Sequence, residues 1–294
     1  MTAAADGAKP YYFVPQPSHW PITGSCALLL MGSGAAFWFN GYAPGPWMVA
    51  FGFAILVYML FGWFGTVIGE SEHRLYNQKV DHSFRWAMSW FIFSEVMFFA
   101  AFFGALFYIR NLSVPDLGSI ASKLLWPSYA AQWPTNGPYD TSHFAPMGAM
   151  GIPLLNTIIL LTSGVTLTIA HHALKDGRRG ALKLWLFLTI ALGFTFVGFQ
   201  AYEYHHAYTE MNLKLSSGVY GSTFFMLTGF HGLHVTIGAT MLTVMLFRVF
   251  RGHFDADHHF AFEASAWYWH FVDVVWLFLF VCVYWWGGGS AAGE

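Results

Sequence analysis

Charged residues are scarce in this chain. Only 10% of its 294 residues are Asp, Glu, Lys or Arg, whereas an ordinary soluble domain carries about 25%. Hydrophobic residues make up 56%, so too few polar side chains remain to cover a water-facing surface. This composition excludes an ordinary soluble fold. The formal net charge of -2 gives no reason to expect a nucleic-acid partner.

Cysteine is also scarce, and a signal-peptide pattern is missing. The two cysteines, Cys26 and Cys282, lie in apolar runs near opposite ends of the chain. No CxxC pattern occurs, so the sequence indicates neither a thiol-redox motif nor a cysteine zinc site. The first twenty residues contain no apolar h-region before a cleavage site, and we therefore expect no cleavable signal peptide.

Long apolar runs take up most of the sequence instead. A helix needs about 20 apolar residues to cross the hydrocarbon core. We therefore predict an all-α polytopic membrane protein, a single membrane domain over residues 1–294 with seven transmembrane helices. The predicted helices cover about 22–40, 47–69, 84–110, 150–173, 182–206, 218–250 and 262–286. Residues of about 111–149 are the one long connection, and we predict an ordered loop at one membrane surface.

The distribution of Lys and Arg predicts the orientation. If the seven segments alternate, ten of these residues, Lys9 among them, lie on one side of the membrane. Three lie on the other side: Arg110, Lys123 and Lys214. Because positive residues are enriched on the cytoplasmic side, the N-terminus is predicted to face the cytoplasm (or matrix) and the C-terminus the outside.

Glu95, in the stretch SWFIFSEVMFF, lies near the middle of the third apolar segment. Its neighbours three and four residues away are apolar, so no cation is available on its own helix face. These neighbours are Phe91, Ile92, Phe98 and Phe99. A carboxylate is costly at this depth, and we expect a neutral acid. Two interpretations stay open: a proton-exchanging or lipid-facing site, and a neutral acid hydrogen-bonded between helices.

Three other acidic residues occur in the apolar segments, two of them near a segment end and one near a segment centre. Glu203, in FQAYEYHH, lies near the end of the fifth segment, and we interpret it as a group at the membrane interface or hydrogen-bonded to another helix. Asp273 follows His270 by three residues on one helix face, and the two are predicted to form a structural pair. Glu70 ends the second segment with Trp63, and both are candidates for contact with a lipid headgroup.

Arg248 ends the sixth segment and is a further candidate for lipid contact. A long cationic side chain near a helix end can extend toward lipid phosphates. The alternative is that Arg248 is only a topological charge.

The fourteen histidines suggest a metal hypothesis. His231 and His234, in GFHGLHV, are three residues apart on one helix face, and His231 is the best candidate for a haem-b ligand. The alternative interpretation, which we favour, is that both form structural hydrogen bonds between helices. Neither an HExxH pattern nor the spacing of a 2-His-1-carboxylate site occurs.

Six ordered stretches are spread over nearly the whole chain. The longest is HHFAFEASAWYWHFVDVVWLFLFVCVYWW (258–286). The others are PSHWPITG (17–24), FSEVMFF (93–99), IPLLNTIILLTSGVTLTIAHH (152–172), FQAYEY (199–204) and GVYGSTFFMLTGFHGLHV (218–235). Together they resemble subunit III of the aa3-type haem-copper cytochrome c oxidases, and the match over 258–286 is the strongest.

The resemblance implies a fold in which helices 1–2 (about 22–69) and 3–7 (about 84–286) form two bundles around a V-shaped cleft that holds phospholipids. It implies a chain with no catalytic residue and no metal, beside partner subunits I and II that carry haem a and copper. Cytochrome c would be the electron donor of the complex. The chain would support proton uptake and turnover stability of subunit I in a proton-pumping oxidase.

The same resemblance assigns roles to four residues. Glu95 matches the buried carboxylate of the third helix, and Trp63, Glu70 and Arg248 match positions at the lipid cleft. One departure affects this assignment. The stretch FGTVIGES has no Arg or Asp between Trp63 and Glu70, where the family often has a charged run.

Three competing functions remain at this point. The first is a related subunit of a quinol oxidase. The second is a haem-b protein that oxidises quinol through His231. The third is a stand-alone transporter or proton channel that uses Glu95. The quinol-oxidase relative typically lacks the first two helices, so we prefer cytochrome c oxidase. The alanine-rich N-terminus without a transit peptide favours a bacterial inner membrane over a mitochondrial one.

Overall fold

The computed structural model describes residues 13–138 and 143–288, and all regular structure within them is helical. Lys9, which contributes to the predicted orientation, lies outside the described residues. The helices are α1 (Trp20–Phe39), α2 (Gly45–Glu72), α3 (Gln78–Tyr108), α4 (Val114–Leu117), α5 (Ile120–Lys123), α6 (Ile152–Lys175), α7 (Arg179–Thr209), α8 (Gly218–Phe250) and α9 (Phe260–Leu279). Short π-helical turns extend α3 over Ile109–Ser113 and α9 over Phe280–Trp285.

Seven of these helices are long and apolar enough to cross a membrane: α1, α2, α3 with its extension, and α6 to α9. They confirm the predicted all-α, seven-helix membrane fold. The predicted limits 218–250 coincide with α8, and the other predicted limits differ from the observed ones by a few residues. Pro residues at the first positions of α1, α2 and α6 favour helix starts there.

The long connection is more helical than the sequence suggests. The candidate span that begins with α3 continues to Leu117, and α5 follows three residues later. Beyond α5 the described chain is irregular, yet it packs on the bundle. The Trp133 indole donates to the carbonyl of Gly287 at 2.7 Å, and the Met147 backbone N–H donates to the Tyr220 hydroxyl at 3.2 Å.

The contacts divide the chain into two compact units, residues 1–86 and 87–294, with the boundary inside α3. In the first unit α1 and α2 form an antiparallel hairpin whose glycines allow close approach. A Cβ at Gly34 would lie 2.8 Å from the Met48 Cβ, and one at Gly52 would lie 2.9 Å from the Ala27 carbonyl oxygen. Small residues of this kind let membrane helices pack without large side chains between them.

In the second unit α6, α7, α8 and α9 pack in sequence, and α9 closes the ring against α6. Trp269 and Trp276 of α9 lie at the centre and are fully buried. The part of α3 in this unit packs on α8 and α9 through aromatic contacts, for example between Phe98 and Phe230, whose ring centroids are 5.1 Å apart. The predicted lipid cleft stays a prediction.

Candidate functional site

Glu95 of α3 has a partner on α8. Its Oε2 lies 2.9 Å from Nε2 of His234. The other ring nitrogen of His234, Nδ1, lies 2.6 Å from the carbonyl oxygen of Phe230 one turn earlier. The rings of Phe98 and Phe99 flank the imidazole, with centroids 6.0 and 5.0 Å from it. The side chain of Glu95 is 21% exposed and that of His234 is 11% exposed.

These two contacts constrain the protons of the pair. A carbonyl oxygen only accepts, so Nδ1 of His234 must carry a proton. Two arrangements then satisfy the contact with Glu95 and leave the pair without net charge. Either a protonated Glu95 donates to a neutral imidazole, or an imidazolium donates to the Glu95 carboxylate. A net charge would be costly inside a membrane. The contact between Glu95 and His234 joins α3 to α8. It agrees with the interpretation of Glu95 as an acid that is hydrogen-bonded between helices.

His231, the candidate haem ligand, points into the core of the second unit. It is fully buried, and its ring stacks on Trp276 at 5.1 Å and meets Phe196 at 5.7 Å. Neither ring nitrogen has a hydrogen-bond partner within the described residues. The aromatic packing leaves no space beside this imidazole for a porphyrin, so the residues around His231 do not fit a haem ligand.

Glu203 lies inside the second unit and not at an exposed helix end. It is 1% exposed, and its Oε1 accepts a hydrogen bond of 2.6 Å from the Tyr284 hydroxyl in the π-helical extension of α9. The next residue is Tyr204, and its hydroxyl lies 2.7 Å from the Thr228 hydroxyl of α8. Glu203 is therefore not an exposed group at the membrane interface, as one interpretation of the sequence had it. The other interpretation, a hydrogen bond to another helix, agrees with the structure.

Asp273 and His270 lie together on α9, as their spacing predicts. Oδ2 of Asp273 is 3.6 Å from Nδ1 of His270, and Nε2 of His270 is 3.5 Å from the Thr168 hydroxyl of α6. Gly164 of α6 makes room for this arrangement, because a Cβ there would collide with Oδ2 of Asp273. The His270 side chain is 43% exposed and that of Asp273 is 8% exposed.

The predicted lipid contacts differ in accessibility. Trp63 is 48% exposed. Glu70 accepts a hydrogen bond of 2.7 Å from the Tyr76 hydroxyl. Burial of Tyr76, this hydrogen bond and the charge of Glu70 raise the pKa of the phenol, so Tyr76 stays a donor. Arg248 is only 6% exposed, and its guanidinium lies 4.4 Å above the ring of Phe254.

Within residues 13–138 and 143–288, no group of three or more His, Cys, Asp or Glu side chains is placed to hold a metal ion. In the part of the chain that the structure describes, the intramembrane polar groups therefore form separate pairs and do not converge on one centre. The Glu95–His234 pair joins an acid and an imidazole on two different helices, and both side chains are partly accessible.

Sequence reasoning found the acids but missed most of their partners. Tyr284 and Gly164 were not candidates, and His234 was expected to form a hydrogen bond between helices without Glu95 being named as its partner. Thr168 and Gly164 occur in the stretch SGVTLT, whose small and hydroxyl residues are a signal of close helix packing. A lone tyrosine in an aromatic run such as VCVYWW gives no comparable signal.

Comparison with known proteins identifies relatives of the whole chain. Residues 9–288 match the family model of cytochrome c oxidase subunit III. A relative from Dugong dugon, named cytochrome c oxidase subunit 3, is 44% identical over 277 residues, which are 94% of this chain and 97% of the relative. Relatives of the same name from Oryctolagus cuniculus and Carassius auratus have the same identity and coverage.

Proposed function

The chain belongs to the cytochrome c oxidase subunit III family, and we propose that it supports proton uptake by the oxidase without a redox centre of its own. As a member of this family it is a multi-pass membrane subunit of a respiratory oxidoreductase complex. In the proposal, haem a and copper lie in partner subunits I and II, and cytochrome c donates electrons to the complex.

The observation that carries this proposal is the Glu95–His234 pair. Its contact of 2.9 Å allows a proton to be placed on either partner without a change in net charge. The Glu95 side chain is 21% exposed, so a proton has a route to the pair and away from it. Such a pair can hold and exchange a proton, which is a function for an intramembrane acid beside a proton-pumping subunit.

Phospholipid binding and turnover stability of subunit I are further parts of the proposal. The exposed indole of Trp63 supports contact with lipid, because amphipathic rings favour the membrane interface. The burial of Arg248 gives no support for direct contact with a phosphate, and its lipid role stays a prediction. From the Lys and Arg distribution we propose a cytoplasmic N-terminus and an outside C-terminus.

A hydrophobic carbodiimide provides a test of the proton-exchanging acid. The reagent reacts with protonated acids from the lipid phase, so Glu95 is expected to be labelled in the purified complex. Glu203, which is 1% exposed, is expected to stay unlabelled. Glu95→Gln should abolish the labelling, and the matched variant Glu203→Gln should retain it. Mass spectrometry of the labelled peptides measures both.

Activity of the same variants tests the supporting role. Glu95→Gln should leave assembly and the initial rate of oxygen reduction close to those of the unmodified complex, while activity declines faster during sustained turnover. Loss of haem reduction, or of all initial turnover, in Glu95→Gln would show that Glu95 belongs to the reaction itself.

A further inference from the structure

Asp273, His270 and Thr168 form a polar patch on the face of the bundle where α6 and α9 meet. We define this α6–α9 face by Val165, Thr168, His270 and Val274. All four are exposed or partly exposed, and Asp273 lies directly behind His270. We propose that this face is where the chain docks on a transmembrane helix of a partner oxidase subunit, and that the docked helix presents a hydrogen-bonding oxygen to His270. The proposal rests on the proposed function.

The depth of the patch is the first argument. Gly164 and Thr168 lie near the middle of α6, and Asp273 lies near the middle of the span formed by α9 and its extension. At this depth the surroundings of an isolated chain are hydrocarbon tails, which offer no hydrogen-bonding group. A polar side chain exposed to them is costly, and such residues normally face protein or a water-filled cavity. Because 43% of the His270 side chain is exposed, we expect another protein surface to contact it.

Incomplete pairing within the chain is the second argument. Both contacts of His270 are long, 3.6 Å to Asp273 and 3.5 Å to Thr168. Buried polar groups normally have hydrogen-bond partners. The long contacts of His270 therefore indicate that one hydrogen-bond partner comes from outside the chain.

The chemistry of the patch indicates what that participant must be. Asp273 lies on the Nδ1 side of His270, where a carboxylate stabilises a protonated ring nitrogen. Nε2 of His270 is then left at the surface, shared weakly with the Thr168 hydroxyl. With Nδ1 protonated, Nε2 of a neutral imidazole accepts a hydrogen bond, so a hydroxyl from a docked helix, such as that of a Ser or Thr side chain, would donate to it. The apolar side chains of Val165 and Val274, 60% and 52% exposed, would pack around it.

Photo-crosslinking in the assembled oxidase tests the docking face. A photoreactive amino acid is placed at Val165 or Val274, and at Leu233 of α8 as a control. Leu233 is similarly exposed, at 51%, but lies on the side of the helix ring where α7 and α8 meet. The proposal expects Val165 and Val274 to form adducts with an oxidase subunit and Leu233 to form adducts with lipid. Lipid adducts alone at both valines, or equal subunit adducts at Val274 and Leu233, would overturn it.

Retention of the chain during detergent purification tests the role of His270. His270→Leu should lower the retained fraction by roughly fivefold, the size expected for one lost hydrogen bond, whereas His270→Gln should retain more of it. The separately expressed variant must keep the unmodified helix content, so that misfolding is distinguished from undocking. If the unmodified chain copurifies and His270→Leu is retained equally, only the docking inference fails. If the unmodified chain itself does not copurify, the proposed function fails with it.

Discussion

Trp269→Ala is expected to destabilise the second unit by about 3–5 kcal/mol, the cost of truncating a large buried aromatic side chain. Trp269 is fully buried and holds three helices together. Its indole donates to the Ser163 hydroxyl of α6 at 2.9 Å. A Cβ at Gly193 of α7 or Gly238 of α8 would lie 2.6 or 2.8 Å from its ring. The truncated side chain would leave a cavity between the glycines of α7 and α8.

The free energy of unfolding of the reconstituted chain, measured by titration with a denaturing detergent, checks this prediction. Trp285→Ala is the matched control, because Trp285 lies in the extension of α9 but is 65% exposed. Its truncation should change the stability by less than about 0.5 kcal/mol. Equal losses in the two variants would mean that the ring of Trp269 does not fill the core as described.

The second large effect concerns the Glu95–His234 pair. Glu95→Leu alone leaves Nε2 of His234 without its partner, and His234→Leu alone leaves Glu95 without its partner. Each single variant should lose about 1–3 kcal/mol, the cost of stranding a buried polar group. The double variant should lose clearly less than the sum, because an apolar pair can replace a buried polar pair at little cost. Glu95→Gln should be close to the unmodified chain, since an amide can still donate to the imidazole.

Unfolding of the four variants, treated as a double-mutant cycle, measures the coupling between the two residues. Strictly additive losses, which correspond to a coupling energy near zero, would contradict the direct bond between Glu95 and His234.

The helices were predictable because their signal is local. Runs such as GVYGSTFFMLTGFHGLHV contain the length and hydropathy that a membrane span needs, and α8 has the predicted limits. In the predicted loop of about 111–149, the sequence has no such run, and the short helices there were not predicted. VPDL and IASK are too short and too polar to be recognised as helices, yet they form α4 and α5 within the predicted loop.

The partners of the buried acids were not predictable in the same way. Glu95 and His234 are 139 positions apart, and Glu203 and Tyr284 are 81 apart. Which residues meet depends on how the helices are rotated, and a helix with apolar residues on every side does not reveal its rotation. FQAYEYHH therefore resembled an interface, because its aromatic and polar residues occur both in aromatic belts and in buried hydrogen bonds.

The absorption spectrum of the isolated chain, compared with that of the complex purified through a tag on this chain, is the most direct test of whether the chain works without a redox centre. The purified complex should contain the other oxidase subunits and show a Soret band from their haem. The isolated, folded chain should show none, because His231 is enclosed by Phe196 and Trp276 and His234 is bonded to Glu95. Stoichiometric haem in the isolated chain would contradict the proposed role.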